Sequence, residues 1–419
     1  MWLLLAMIMI MPYEASPYLY LAENLLGVFP DFTVIKALGL LGLAWAGLLL
    51  AAGDPAGRLL ASQPARLFLV FLSVIAVVAV AHGTGFQYAI SRYLGFLVFL
   101  PFVIVAVRSQ RDVRLVLAAM VLSYVVVFPY AVRQMIRFGD RLGIGLYETN
   151  YLAAILTLLI PMAFVLSSQA HLPMRRALWA GGGLLLVLMV FLTSSRGGFL
   201  GLLAAGMMFV YRRRGLGSAV AVLLMLLGSA LLLPTDLGSR ALATIFQDSD
   251  DVPPGLEHSN RAHVALFWAA LRMIGDSPLV GVGPLNFKSL STLYTGLHEG
   301  NIAHNSFLEI AAEFGLPALA VFVLLLAATF RTLGRATRLD GSPEARELAG
   351  WAEGLRSGLA GFLVAGFFIS AQYEKILWLS IFLTIVLGAL AARRAVLDAA
   401  AEPEAAPDDD LAAVPEAAR

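Results

Sequence analysis

Six histidines and no cysteine leave few groups for proton transfer and none for thiolate chemistry or a disulfide. His304 is the best placed of them to act as a general base. It follows a polar passage and, with Asn305, opens a predicted helix that carries Glu309 and Glu313, breaks at Gly315-Leu316-Pro317 and runs on into an apolar segment. A helix N-terminus disfavours imidazolium, so a histidine there stays neutral and can accept a proton near neutral pH. The competing reading is an ordinary capping or interfacial histidine. Asn305 and Glu309 are possible supporting groups: the carboxylates could orient His304 or merely solvate it.

The second chemistry legible in the chain is anion binding. A guanidinium offers a planar fork that matches phosphate oxygens and remains charged. Arg196 lies in Thr193-Ser194-Ser195-Arg196-Gly197-Gly198, a turn so tight that two apolar runs meet with almost no loop. Asn260, in capping position, opens an amphipathic helix in which Val264, Phe267, Trp268, Leu271 and Ile274 recur at helical spacing. Arg261 and Arg272, eleven residues apart, share the flank of that stripe. Arg133, Arg137 and Arg141 follow another apolar run at a spacing of four, on one helical face. Arg196, Arg261, Arg133 and Arg137 are expected to converge on one anion. Arg272 is a possible supporter, and Arg141 lies nearest the next apolar run. Taken singly, each arginine could instead be an interfacial charge reaching for headgroups or a surface flank charge. His258, His263, His298 and His304 with Glu257 and Glu299 match no compact ligand spacing, so no metal site is expected. Gly281-Val282-Gly283-Pro284 lacks the ending of a phosphate loop and reads as a turn after Asp276-Ser277-Pro278.

These groups must be positioned by a membrane scaffold. Hydrophobic residues make up 60% of the chain and charged residues 14%, with a mean hydropathy of +0.83. That composition excludes an ordinary soluble domain. Apolar runs at 33–52, 67–82, 89–107, 115–131, 149–167, 177–194, 197–211 and 218–234, then 307–330, 354–372 and 375–392, are predicted spans. With the short run Met1–Met11, which covers about half the hydrocarbon core, the total is about twelve transmembrane helices in an all-α fold. An acidic stretch with Glu14, Glu23 and Asp31 follows the first run, and no cleaved signal peptide is expected.

Arginine clusters at Arg58 and Arg66, Arg108 to Arg114, Arg175 and Arg176, Arg212 to Arg214, Arg331 to Arg346, and Arg393 and Arg394 fall on alternate loops. They mark one face as cytoplasmic, with both termini on it. The chain then divides into N-terminal transmembrane helices (1–234), a large helical periplasmic loop (235–303), C-terminal transmembrane helices (304–395) and a disordered acidic cytoplasmic tail (396–419). The loop contains Arg240, an acidic patch (Asp248, Asp250, Asp251) and Pro253-Pro254, and is expected to form a lid.

The Ser195-Arg196-Gly197 turn, the helix bearing Arg261, the passage Asp276 to Gly283, and Ala303-His304-Asn305-Ser306-Phe307-Leu308-Glu309 followed by Glu313-Phe314-Gly315-Leu316 together resemble the O-antigen ligase/polymerase superfamily. The resemblance covers about residues 190–330 in motifs and the whole chain in topology. It implies a GT-C-type inverting glycosyltransferase of the bacterial inner membrane that works at the periplasmic face without metal or other cofactor. The implied donor is a glycan on undecaprenyl diphosphate. A residue matching His304 would activate the acceptor hydroxyl, and arginines matching Arg196 and Arg261 would hold the leaving diphosphate. The acceptor would be the lipid A core, a growing glycan or a protein, so ligase, repeat-unit polymerase and protein O-oligosaccharyltransferase all remain open. Surrounding lipid is the other expected partner, and nucleic acid is not one. The rival from another class is a transporter of an anionic lipid-linked substrate. It would require polar groups deep within the spans, and few are visible there.

Overall fold

The computed structural model describes residues 1–14, 19–25, 29–83, 92–93, 95–138, 141–144, 148–232 and 254–401. Arg240, the acidic patch at Asp248, Asp250 and Asp251, Pro253 and the tail from 402 onward lie outside these residues, as does part of the 89–107 run. Among the described residues the chain forms fifteen α-helices and one short hairpin. The hairpin pairs β1 (Tyr20–Leu25) with β2 (Phe29–Thr33) antiparallel, and the Thr33 side chain caps the next helix by accepting from the Lys36 amide.

The helices are α1 (Trp2–Ile10), α2 (Val34–Ala51), α3 (Gln63–His82), α4 (Gly95–Ala106), α5 (Gln110–Val126), α6 (Phe128–Phe138), α7 (Thr149–Ser168), α8 (Pro173–Leu192), α9 (Arg196–Arg214), α10 (Leu216–Leu232), α11 (Pro254–Asp276), α12 (Asn286–Thr295), α13 (Ser306–Ala336), α14 (Pro343–Ala365) and α15 (Lys375–Ala401). Each of the twelve apolar runs contains a helix. Among the described residues seven helical stretches are both long and apolar enough to cross a membrane: 34–51, 63–82, 110–138, 149–168, 173–192, 306–336 and 375–400. α1, α4 and α10 are apolar but shorter. α9 and α14 carry charge, and they pack against each other and against α7 in the middle of the bundle.

Two expected boundaries shift for identifiable reasons. The run expected to end near Ala131 stops at Val126; a turn at Val127 precedes Pro129, and α6 starts as a separate helix. The run expected over 354–372 begins eleven residues earlier, because Ser342 accepts from the Ala345 amide ahead of Pro343 at the first helical position, and it ends at Ala365.

Trp378 of α15 anchors the aromatic centre of the bundle. Its ring stacks on Phe96 (centroids 5.1 Å apart) and Phe71 (5.9 Å), with Phe68 and Phe382 also in contact. Such ring pairs contribute about 0.5–1.5 kcal/mol each beyond burial. The indole Nε1 donates to the Gln372 carbonyl at 2.8 Å, so the same residue fixes the loop between α14 and α15.

The two ends of the bundle differ. One is knit by ion pairs: Arg108 with Asp54 at 2.6 Å, Arg114 with Glu347, Arg212 with Glu353 at 3.7 Å and Arg394 with Asp398 at 2.8 Å. These arginines belong to the clusters that mark the cytoplasmic face in the sequence. The opposite end carries the short α11–α12 layer, with a small core of Leu266, Ala270, Met273, Phe287, Ala303 and Ala312.

Candidate functional site

α11 begins at Pro254, so Asn260 lies within the helix rather than at its cap. The apolar stripe read from the sequence is also not the face that packs. Val264, Phe267 and Trp268 are exposed, whereas Leu266, Ala269, Ala270 and Met273 are buried. Both sets recur at helical spacing. The smaller residues win because they let α11 lie close against α13 and α12, leaving the bulky ones outward.

The turn after α11 is locked to the kink in α13. The amides of Val282 and Gly283 donate to the carbonyls of Ala312 (2.8 Å) and Glu313 (3.0 Å), and the Leu316 amide donates to the Pro278 carbonyl (2.8 Å). Gly315 opens the kink with φ 82 and ψ 170, and Gly281 has φ 64. A Cβ on Gly281 would overlap the Glu313 backbone, and one on Gly315 would overlap the Leu279 carbonyl. Two glycines therefore meet where no side chain fits.

The start of α13 is fixed on its other side by the loop after α14. The Ser306 amide donates to the Gly366 carbonyl at 2.8 Å and its hydroxyl to the Ile369 carbonyl at 2.8 Å. Asn305 is the N-cap, its Oδ1 accepting from the Phe307 and Leu308 amides at 3.0 Å, while its Nδ2 donates to the Phe367 carbonyl at 3.1 Å. Glu309 is buried. One carboxylate oxygen accepts from the Ala303 amide (3.0 Å) and Ser370 Oγ, the other from Gln372 Nε2 (2.8 Å). His304, between these anchors, takes a left-handed backbone with φ 49, a conformation uncommon for a residue with a side chain.

Arg196 is set by equally local means. Ser194 has φ 48, Ser195 Oγ accepts from the Gly198 amide at 3.2 Å, and α9 starts at Arg196 itself. A Cβ on Gly198 would overlap Ala153 of α7, so the first turn of α9 sits hard against that helix. The Leu142 amide donates to the Leu192 carbonyl at 3.0 Å and brings Arg141 alongside the turn.

These segments enclose a cavity of 690 Å³. Arg196, His304, Asn305, Arg141, Glu148 and His263 are among its polar lining, and Val264, Phe267, Phe367 and Phe368 are among its apolar lining. His263 touches His304, with ring centroids 4.5 Å apart and planes at 50°. Burial pushes the proton affinity of His304 below its ordinary value, which is the neutral state a helix start was expected to favour. His263 is pushed down further, to about 4, by burial, then by His304 and Arg196, with Glu148 opposing.

The other expected site residues lie elsewhere. Arg261 is exposed on α11, one turn before the cavity-lining Val264. Arg133 and Arg137 are exposed on α6, and Arg137 lies over the Phe138 ring. Neither lines the cavity. Arg272 points toward α12, with a 3.4 Å bond to the Tyr294 carbonyl. Glu309 lies behind the cavity wall and reaches it only through the Ala303 amide. Of the ionisable residues lining the cavity, Glu148 has no role in the sequence reading and His263 enters it only as a rejected metal ligand. Glu148 carried no signal, but His263 did: it precedes Leu266 by three residues and Ala270 by seven, on the buried stripe of α11.

The shared cavity, the short turn and the kinked helix all fall in one stretch of sequence. Residues 181–323 match the O-antigen ligase family model. That match supports membership of the O-antigen ligase superfamily, and with the apolar helices it describes a membrane-embedded enzyme of the O-antigen ligase/polymerase type. The family implies lipid-linked glycan substrates. No curated protein gave a significant match to the chain.

Proposed function

We propose that the chain is an inner-membrane glycan ligase that transfers an undecaprenyl-diphosphate-linked glycan to an acceptor hydroxyl, with the lipid A core as the first candidate acceptor. The observation that carries this reading is the common cavity of Arg196 and His304. An anion site and a neutral imidazole facing one space supply the two functions that glycosyl transfer from a diphosphate needs.

In the proposed reaction the donor diphosphate sits at the start of α9, where the first amides of the helix and the Arg196 guanidinium both favour negative charge. Arg141 adds a second cation in the cavity, and Arg261 stands one turn from its wall. The acceptor oxygen attacks the anomeric carbon from the face opposite the diphosphate. Its proton passes to His304. The carbon–oxygen bond to the diphosphate breaks, the electron pair leaves with undecaprenyl diphosphate, and configuration inverts. The exposed rings of Phe367 and Phe368 on the cavity rim suit the apolar and sugar-ring surfaces of such a substrate. In this reading about twelve helices span the membrane, the α11–α12 layer is periplasmic and the ion-paired end is cytoplasmic.

The test incubates purified protein with lipid-linked glycan and candidate acceptors (lipid A core, glycan repeat units, acceptor protein) and identifies the product. A His304→Ala variant should lose about 10²–10⁴-fold in single-turnover transfer while still binding donor. Normal transfer by that variant would remove His304 from the mechanism. Loss of donor binding as well would recast it as a phosphate-binding or structural residue.

A further inference from the structure

We propose that His263 is a second imidazole of the transfer site, a positioning residue that holds the His304 ring in place and faces the charge His304 acquires. This rests on His304 being the base. The two rings meet at 4.5 Å between centroids, inside one cavity. Each is supplied by a rigid element. His263 stands on the packed face of α11, ahead of the buried Leu266 and Ala270, and His304 stands on a left-handed backbone between the Glu309 and Asn305 anchors. The direction of the His304 ring is therefore limited by its own backbone on one side and by His263 on the other.

The charges around the pair decide which ring takes a proton. Facing His263 are Arg196 from α9, Arg141 and Glu148 from the segment before α7, and His304 from the loop before α13; Arg261 lies on its own helix. Among the described residues one carboxylate faces these cations, too few to support two imidazolium ions in contact, so the pair holds at most one proton. Burial and these neighbours keep His263 neutral down to about pH 4, which leaves His304 as the acceptor of the substrate's proton. A neutral imidazole at this distance can turn a nitrogen lone pair toward the new cation, a stabilisation available only after the proton has moved.

The experiment compares His263→Phe, which keeps a ring but removes both nitrogens, with His263→Gln and wild type. Two readouts are taken. Single-turnover transfer is measured alongside donor binding. The pH at which His304 becomes half-reactive toward diethyl pyrocarbonate is read by mass spectrometry on protein without substrate. His263→Phe, which loses the nitrogen acceptor, should slow transfer roughly three- to tenfold, leave donor affinity within about twofold of wild type, and lower the His304 midpoint by about half a pH unit. His263→Gln, which retains a polar acceptor, should fall between the two. Wild-type transfer and midpoint in His263→Phe would overturn the proposal. So would a loss of transfer with an unmoved midpoint, or with lost donor binding, since either would mean packing alone. If His304→Ala transfers normally, the base assignment fails instead, and the midpoint assay still reports whether His263 acts on His304.

Discussion

Glu309 accepts the amide of Ala303 at 3.0 Å, one residue before His304, from a position behind the cavity wall. All of its partners are donors: the Ala303 amide, the Ser370 hydroxyl, the Gln372 amide group and, more distantly, the Tyr373 hydroxyl at 3.4 Å. A carboxylate can accept from all of them and an amide cannot. Glu309→Gln keeps the Ala303 bond only with its amide oxygen on that side, and its NH₂ group then faces Gln372, whose amide must flip to present its unpartnered Oε1, a rearrangement of a buried cluster that costs about 1–3 kcal/mol. The strain falls on the segment that places His304. The expected result is transfer reduced about tenfold with donor affinity retained, since a small displacement of a reacting group is costly. Unchanged single-turnover rates would mean that Glu309 only braces the helix.

Arg196→Lys preserves the charge but not the fork. At the first residue of α9 the guanidinium can engage two diphosphate oxygens while the helix amides engage others. A lysine should weaken donor binding and slow transfer by about tenfold or more, the worth of one hydrogen bond between charged groups. Lys at Arg133 or Arg137, exposed on α6 away from the cavity, should leave both within about twofold, as for a surface position. Equal effects at Arg196 and Arg133 would show that charge in the region matters and geometry does not.

The contrast between those arginines shows what was readable in the chain. Arg196 and His304 were legible because each sits at a discontinuity: a turn without a loop in one case, a polar-to-apolar junction in the other. Backbone geometry at such points is local and leaves a mark in sequence. Arg133 and Arg137 share a helical face as their spacing predicts, but which way α6 turns that face depends on the break at Val127. α11 failed for a related reason. It carries two apolar stripes of equal periodicity, and only the close approach of α13 selects the one with alanines. His263 was hidden by that choice, since its importance follows from belonging to the packed stripe. Arg141 and Glu148 enter the cavity through non-helical segments whose course no periodicity records.

The glycine contact between the α11 turn and the α13 kink should behave as a clasp. Gly281→Ala forces a Cβ into the Glu313 backbone at φ 64, adding steric overlap to a left-handed penalty of about 1–2 kcal/mol. The bonds from Val282 and Gly283 to α13 would lengthen first, freeing the α11–α12 layer while the aromatic centre around Trp378 stays intact. Hydrogen exchange should therefore rise in 277–295 with little change in α3, α7 or α15. A uniform rise across the bundle would contradict a local clasp.

The pH dependence of transfer follows from the burial of His304. A general base works when neutral, that is, above its pKa. Burial lowers that pKa from the ordinary 6.5, so the acid side of the rate profile moves to lower pH. Arg196 keeps its charge throughout the range, and a diphosphate diester is already ionised, so neither should add a step there. Transfer measured under single-turnover conditions should be nearly constant near pH 8 and fall to half its plateau only below the ordinary histidine value of 6.5. Folding stability changes in the same direction. Both histidines bind protons more weakly when folded than when unfolded, so the stability their neutral forms contribute is present above about 6.5 and is lost as pH falls; for His263 the loss continues down to about 4. The two effects separate in His304→Gln, which should flatten the rate profile at a low level while the stability loss assigned to His263 persists. A wild-type rate that is already half lost at pH 7 would place the titrating base in a more exposed setting than the buried His304.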